Sequence, residues 1–116
     1  MHYKAVFHVD QKDEQVFNLA VNNVINLLNA IPEQEYDLIV LLNGPAVGLM
    51  TREAVVSFLE RIQGLVAQGV RFQVCDNALK RFEVSRKSLI PECQIIPAGI
   101  VGLIDLQHHG FAYIKP

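Results

Sequence analysis

Two cysteines, four histidines and a run of basic residues are the side chains here that could do chemistry. Cys75 has the most suggestive surroundings. It ends the stretch Val70-Arg-Phe-Gln-Val-Cys75, in which Val70, Phe72 and Val74 alternate with Arg71 and Gln73. Period-two alternation is the mark of a half-buried strand. Asp76 and Asn77 follow at once, and a short side-chain oxygen there can accept from the free amides of a new helix. A thiol at that corner lies near the positive end of a helix dipole, which favours thiolate, the nucleophilic form of cysteine. The alternative is a small buried hydrophobe, since free cysteine is among the most buried residue types. Lys80, Arg81, Arg86 and Lys87 come soon after and could steady an anionic sulfur; they could equally form a solvated helix face.

The elements that must hold this corner can be read along the chain. Tyr3 to Val9 reads as a first strand. Glu14 to Ile31 reads as an amphipathic helix, with Phe17, Ala20, Val21, Val24, Leu28 and Ile31 on one face. Asp37 to Leu42 is continuously apolar, as expected of a strand buried on both faces in a parallel sheet. Asn43-Gly44-Pro45 breaks it into a loop, and Thr51 caps a second helix whose core face is Val55, Phe58, Leu59, Ile62, Leu65 and Val66; Gly69 ends it. After the cysteine comes a short helix anchored by Leu79 and Phe82, then a turn capped by Ser85. A fourth strand follows at Gln94 to Pro97. A last helix from Gly99 turns Ile100, Val101 and Ile104 inward, and Phe111 to Ile114 is a fifth strand. Strands alternating with helices predict an α/β fold, a three-layer α/β/α sandwich around a five-stranded, mostly parallel sheet in one domain spanning 1–116.

In such sheets ligands sit beyond the carboxyl ends of the strands. His8, Asn43, Gly44, Asp76 and Asn77 are therefore the candidate ligand-binding residues, sharing one rim with Cys75. His8 could shuttle a proton or simply pack. Asn43 and Gly44 could offer donors to a ligand or merely turn the chain. His108 and His109 read as caps of the last helix. Cys93 reads as a small core residue at the opposite edge of the sheet from Cys75, so no disulfide is expected. The polar face of the third strand places that strand nearer an edge, which a neighbouring subunit would protect.

Composition sets the outer limits. The 116 residues are 51% hydrophobic and 19% charged, with mean hydropathy +0.24. That is apolar enough to predict surface covered by another subunit. A net charge of −2 gives no basic field for nucleic acid or an anionic membrane. No apolar run approaches a bilayer span, and the N-terminal residues lack the form of an export leader, so a cytoplasmic protein is expected. Neither a glycine-rich nucleotide loop nor zinc-like ligand spacing is present, so no cofactor or metal is expected.

The segments HVDQKDE, NLAVNNVINLL, LNGPAVGLM, GVRFQVCDNALKR, IIPAGIVGLIDLQHHG and FAYIKP, in that order, together resemble the DsrE/DsrF-like proteins. The resemblance implies a five-stranded parallel α/β/α domain that assembles into trimers or hexamers. It also implies a sulfur-relay role, with persulfide borne on a cysteine at the end of the third strand, where Cys75 stands, and with donor and acceptor proteins as partners. On that reading the chain is a sulfur carrier rather than a turnover enzyme. Read without the resemblance, the same rim could serve a small-ligand-binding or scaffold protein in which Cys75 does no chemistry.

Overall fold

A computed structural model describes residues 1–116. Five strands form one sheet: β1 (His2–Val9), β2 (Glu35–Leu42), β3 (Arg71–Cys75), β4 (Cys93–Ile96) and β5 (Ala112–Ile114). Their order is β4-β3-β2-β1-β5, and every pairing is parallel. The helices are α1 (Glu14–Ala30), α2 (Leu59–Ala67), α3 (Asp76–Arg81) and α4 (Gly99–His108). The α/β architecture with a parallel five-stranded sheet is the one the alternation of elements predicts.

The two faces of the sheet are covered unequally. Phe7, Val9, Leu38, Val40, Leu42, Phe72 and Val74 point into a large core shared with α1, α2 and α3. Val6, Ile39 and Leu41 point the other way and meet Leu103 of α4 and Phe111 beyond its end, with half-buried Ile96 and Leu106 packed alongside. Leu38 through Leu42 are all fully buried, as the unbroken apolar run predicts. Asp13 caps α1 by accepting from the amides of Gln15 and Val16.

Several local expectations need correction. Residues Gly44–Met50 are a buried 3₁₀ helix rather than an open loop, because Ala46, Val47, Leu49 and Met50 fill the larger core. Thr51 caps only a turn, accepting from the Ala54 amide, and α2 sets in at Leu59 after a 3₁₀ turn at Val56–Phe58. β3 does lie nearer an edge than the central β2, as its polar face predicts, but β4 outside it is the edge strand, so β3 itself needs no cover from a neighbouring subunit. Its polar residues Arg71 and Gln73 lie on the thinly covered face, where Gln73 reaches Gln94 of β4. Phe82 does not anchor α3, being 43% exposed. Ile100, Val101 and Ile104 do not face inward but are 62%, 54% and 49% exposed. Leu103 is the buried contact of α4 instead.

Cys93 lies on the strand next to Cys75 rather than across the sheet. It pairs with Phe72, whereas Cys75 pairs with Ile96. A stagger of three residues separates the cysteines by about 10 Å along the strands, beyond disulfide reach. Both thiols are free.

Candidate functional site

β3 and β4 are neighbours, yet the chain leaves them toward opposite faces. α3 packs Ala78 and Leu79 into the larger core, while α4 packs Leu103 into the smaller one. Divergence of this kind opens a crevice beyond the strand ends, the usual ligand position in open α/β sheets. Cys75 sits in this crevice, at the end of β3.

Its sulfur is held by backbone. The Gly99 amide donates to Cys75 Sγ at 3.2 Å, and the Ala78 amide donates at 3.4 Å. Cys75 therefore caps α3 itself, in place of the expected Asp76 or Asn77. The same sulfur also stands at the N-terminus of α4, whose first residue is Gly99. Two amides and two helix starts aimed at one atom suit a negative charge on that atom. The Asn77 amide, donating to Pro97 O at 3.3 Å, ties the two turns together.

Any side chain at Gly99 would crowd its neighbours. A Cβ at this position would lie 3.0 Å from Asn43 Cβ and 3.3 Å from Cys75 Cβ. Gly44 is required for a different reason: its φ is +56°, and a Cβ would come within 3.1 Å of Asp10 O.

A pocket of about 240 Å³ opens beside the sulfur, lined by Asn43, Gly44, Cys75, Asn77, Ala78, Arg81, Phe82, Ala98, Gly99 and Ile100. Of the predicted rim, Asn43, Gly44 and Asn77 thus join Cys75. His8 is one layer behind, with Nε2 2.7 Å from Asn43 Oδ1 and Nδ1 2.6 Å from the Tyr113 hydroxyl. Asp76 does not line the pocket. Its carboxylate faces Arg86 at 2.9 Å and Lys80 at 3.3 Å. Two of the four nearby cations are thereby occupied. Arg81 is the one charged residue lining the pocket.

The hydrogen bond from Arg86 holds the Asp76 carboxyl below its usual range, with Lys80 adding to the effect against the cost of burial. Asp10 is held low chiefly by its hydrogen bond from Lys115. A carboxylate with a depressed folded value stabilises the fold above its unfolded value, 3.8 here. That contribution is lost as pH falls through the lower folded value. Acid titration of the wild type should therefore show unfolding that steepens below about pH 4. Asp76→Asn should be less stable at pH 7 and show a shallower acid limb by circular dichroism. Cys93 is different in kind: burial, with the Glu92 charge beside it, pushes its thiol up to about 12. At neutral pH it is an uncharged side chain of the core rim.

Sequence reasoning missed Gly99, which reaches Cys75 from 24 residues away. The one available signal was a glycine two residues after Pro97 at a strand-to-helix turn. It also missed Tyr113 and the pocket-lining role of Phe82 and Ile100.

A parallel sheet with a cysteine at a strand end, gripped by amides of two diverging helices, defines a class of small α/β proteins with a thiol-centred crevice. A family model for the DsrE/DsrF-like family matches residues 4–116, and the chain belongs to that family. Among solved structures it is similar to a protein of unknown function, MTH1491 from Methanobacterium thermoautotrophicum. There the identity is 29%, the TM-score 0.88, and coverage 98% of this chain and 99% of that one. The ychN protein from E. coli matches with 20% identity and TM-score 0.75, covering 98% and 99%. BT1422 from Bacteroides thetaiotaomicron, a conserved protein of unknown function, matches with 15% identity and TM-score 0.65, covering 97% and 94%. These last two likenesses concern the fold alone. No curated protein matches. No helix is long and apolar enough to cross a membrane.

Proposed function

We propose that this protein carries sulfane sulfur on Cys75, taking it from a persulfide donor and passing it to an acceptor thiol. The observation that carries this reading is the seating of Cys75 Sγ between the amides of Gly99 and Ala78, at the wall of an open pocket. Membership of the DsrE/DsrF-like family supports it. The Cys75 thiolate attacks the terminal sulfur of a donor R–S–SH. A bond forms between Sγ and that sulfur as the donor S–S bond breaks, and the donor leaves as R–S⁻. An acceptor thiolate then attacks the terminal sulfur of the Cys75 persulfide, and Cys75 leaves as thiolate, as in thiol–disulfide exchange. No electrons are gained or lost over the two steps, so the protein works as a carrier. Donor and acceptor are proteins or small thiols that reach the pocket, and Arg81 gives its mouth a positive charge.

The working unit in this reading is a homo-oligomer, a trimer or a hexamer. What supports it is the row of exposed Ile100, Val101 and Ile104 on α4, the sole helix on its side of the sheet.

A test follows the sulfur through both steps. Protein loaded from an isotope-labelled persulfide, freed of donor and mixed with an acceptor thiol should surrender the label to the acceptor. Label that loads and is never released would reduce the protein to a trap. A second reading is favoured by the 6% exposure of Cys75 and by the apolar share of the pocket from Ala78, Phe82, Ala98 and Ile100. In it the pocket holds a small ligand or the protein is a scaffold, and Cys75 only lines the wall. Saturable ligand binding without sulfur uptake would favour that reading.

A further inference from the structure

Behind the pocket, Tyr113, His8 and Asn43 form a hydrogen-bonded chain from β5 through β1 to the end of β2, and its protons can be assigned from chemistry. Asn43 Oδ1 can only accept, so His8 Nε2, 2.7 Å away, carries a hydrogen and donates it. In a neutral ring Nδ1 is then an acceptor, and the Tyr113 hydroxyl at 2.6 Å donates to it. His8 is itself buried, at 8% exposure, and both ring nitrogens have protein partners. With Oδ1 committed to His8, the Asn43 amide nitrogen is turned to the other side. It lies 3.3 Å from the point where a side chain on Gly99 would begin, and Cys75 Cβ lies 3.3 Å from that same point. Asn43 and Cys75 both line the pocket.

We infer that Asn43 Nδ2 donates a hydrogen bond to the terminal sulfur of the Cys75 persulfide, and that His8 and Tyr113 are positioning residues that fix its amide orientation. This rests on the sulfur-carrier reading and adds a donor to it. The Gly99 and Ala78 amides serve Sγ, which bears the charge before loading and after release. Once a sulfur is attached, the charge of the deprotonated persulfide sits one atom farther out, about 2 Å from the atom those amides hold. A side-chain donor on the adjoining strand can reach it. Reversing the amide would present Oδ1 to an anionic sulfur and repel it.

Two variants and one spectrum test this. Asn43→Asp keeps the shape and the acceptor for His8 but places a carboxylate oxygen where Nδ2 stands. Sulfur loading from a persulfide donor should slow by about tenfold or more, with thermal stability near that of wild type. Tyr113→Phe removes the proton that holds the His8 tautomer and should slow loading by a smaller factor. Nitrogen-15 spectra of the imidazole should show His8 protonated at Nε2 in the wild type and a tautomer mixture in Tyr113→Phe. A merely structural role for Tyr113 would move stability and leave the tautomer unchanged. Wild-type loading with unchanged loading in Asn43→Asp overturns this inference alone. So does a wild-type His8 protonated at Nδ1 only. Failure of the wild type to load overturns the carrier reading and this inference with it.

Discussion

Replacing Gly99 with alanine should slow alkylation of Cys75 by iodoacetamide at neutral pH by about tenfold to a hundredfold. One hydrogen bond sets the size of this effect. The Gly99 amide approaches Sγ at 3.2 Å, the shorter of the two that reach it. A hydrogen bond to a charged group contributes about 1.5–3 kcal/mol, and about 1.4 kcal/mol is a factor of ten. An added methyl group would stand 3.0 Å from Asn43 Cβ and 3.3 Å from Cys75 Cβ, so α4 and these neighbours are pushed apart by a few tenths of an ångström, and the amide with them. Alanine is otherwise a better helix residue than glycine, so loss of helical structure is not the cause being tested. Stopped alkylation followed by intact mass measures the rate. An unchanged rate would mean that the amide of α4 does not sustain the thiolate.

The second large effect concerns what holds α4 in place. Leu103→Ala should lower unfolding free energy by about 2–5 kcal/mol and slow Cys75 alkylation at the same time. The smaller core has five buried residues, and Leu103, 4% exposed, is the one among them that α4 supplies. Truncating it leaves the helix with half-buried Leu106 as its remaining hold on that core. The helix start that donates to Cys75 is then poorly anchored. A comparable cut in α1 would damage stability without reaching the thiol so directly, because α1 shares its packing with several neighbours and does not contact the sulfur. Ile104→Ala is the matched control. Ile104 is 49% exposed, so the monomer should lose about 0.5 kcal/mol or less. If α4 is an interface in the proposed oligomer, Ile104→Ala weakens assembly by light scattering while leaving Cys75 alkylation in place. Equal losses for Leu103→Ala and Ile104→Ala in chemical denaturation would contradict this division of labour.

These two residues also show where sequence reading reached and where it stopped. The run Leu38–Leu42 is apolar at every position, which only a doubly covered strand tolerates, and it is fully buried. The α1 face built on Phe17, Ala20, Val21 and Val24 is equally plain, since asparagines and other polar residues fill the opposite side. The last helix gave no such contrast. Its sequence Gly-Ile-Val-Gly-Leu-Ile-Asp-Leu is apolar around most of its circumference, so periodicity could not select Leu103 over Ile100, Val101 and Ile104. Tertiary packing made that choice.

The candidate site was legible in the same partial way. Position on a strand end singled out Cys75, Asn43, Gly44 and Asn77, and all four meet at the pocket. Asp76 was misread because a capping side chain and an ion-pairing one look alike in sequence; its carboxylate goes to Arg86 and Lys80, and the sulfur does the capping. Gly99 and Tyr113 reach the site through pairings of β4 with β3 and of β5 with β1. Local pattern does not encode such long-range neighbours.

The central claim, that Cys75 accepts sulfur, is tested most directly by intact mass and peptide mapping after treatment with excess persulfide donor. The wild type should gain one sulfur atom, mapped to Cys75, and Cys93→Ser should gain it equally. Cys75→Ser should gain none, because the Cys93 thiol, pushed up to about 12, stays protonated and unreactive at neutral pH. A wild type that takes up no sulfur, or one whose sulfur maps to Cys93, would contradict the account.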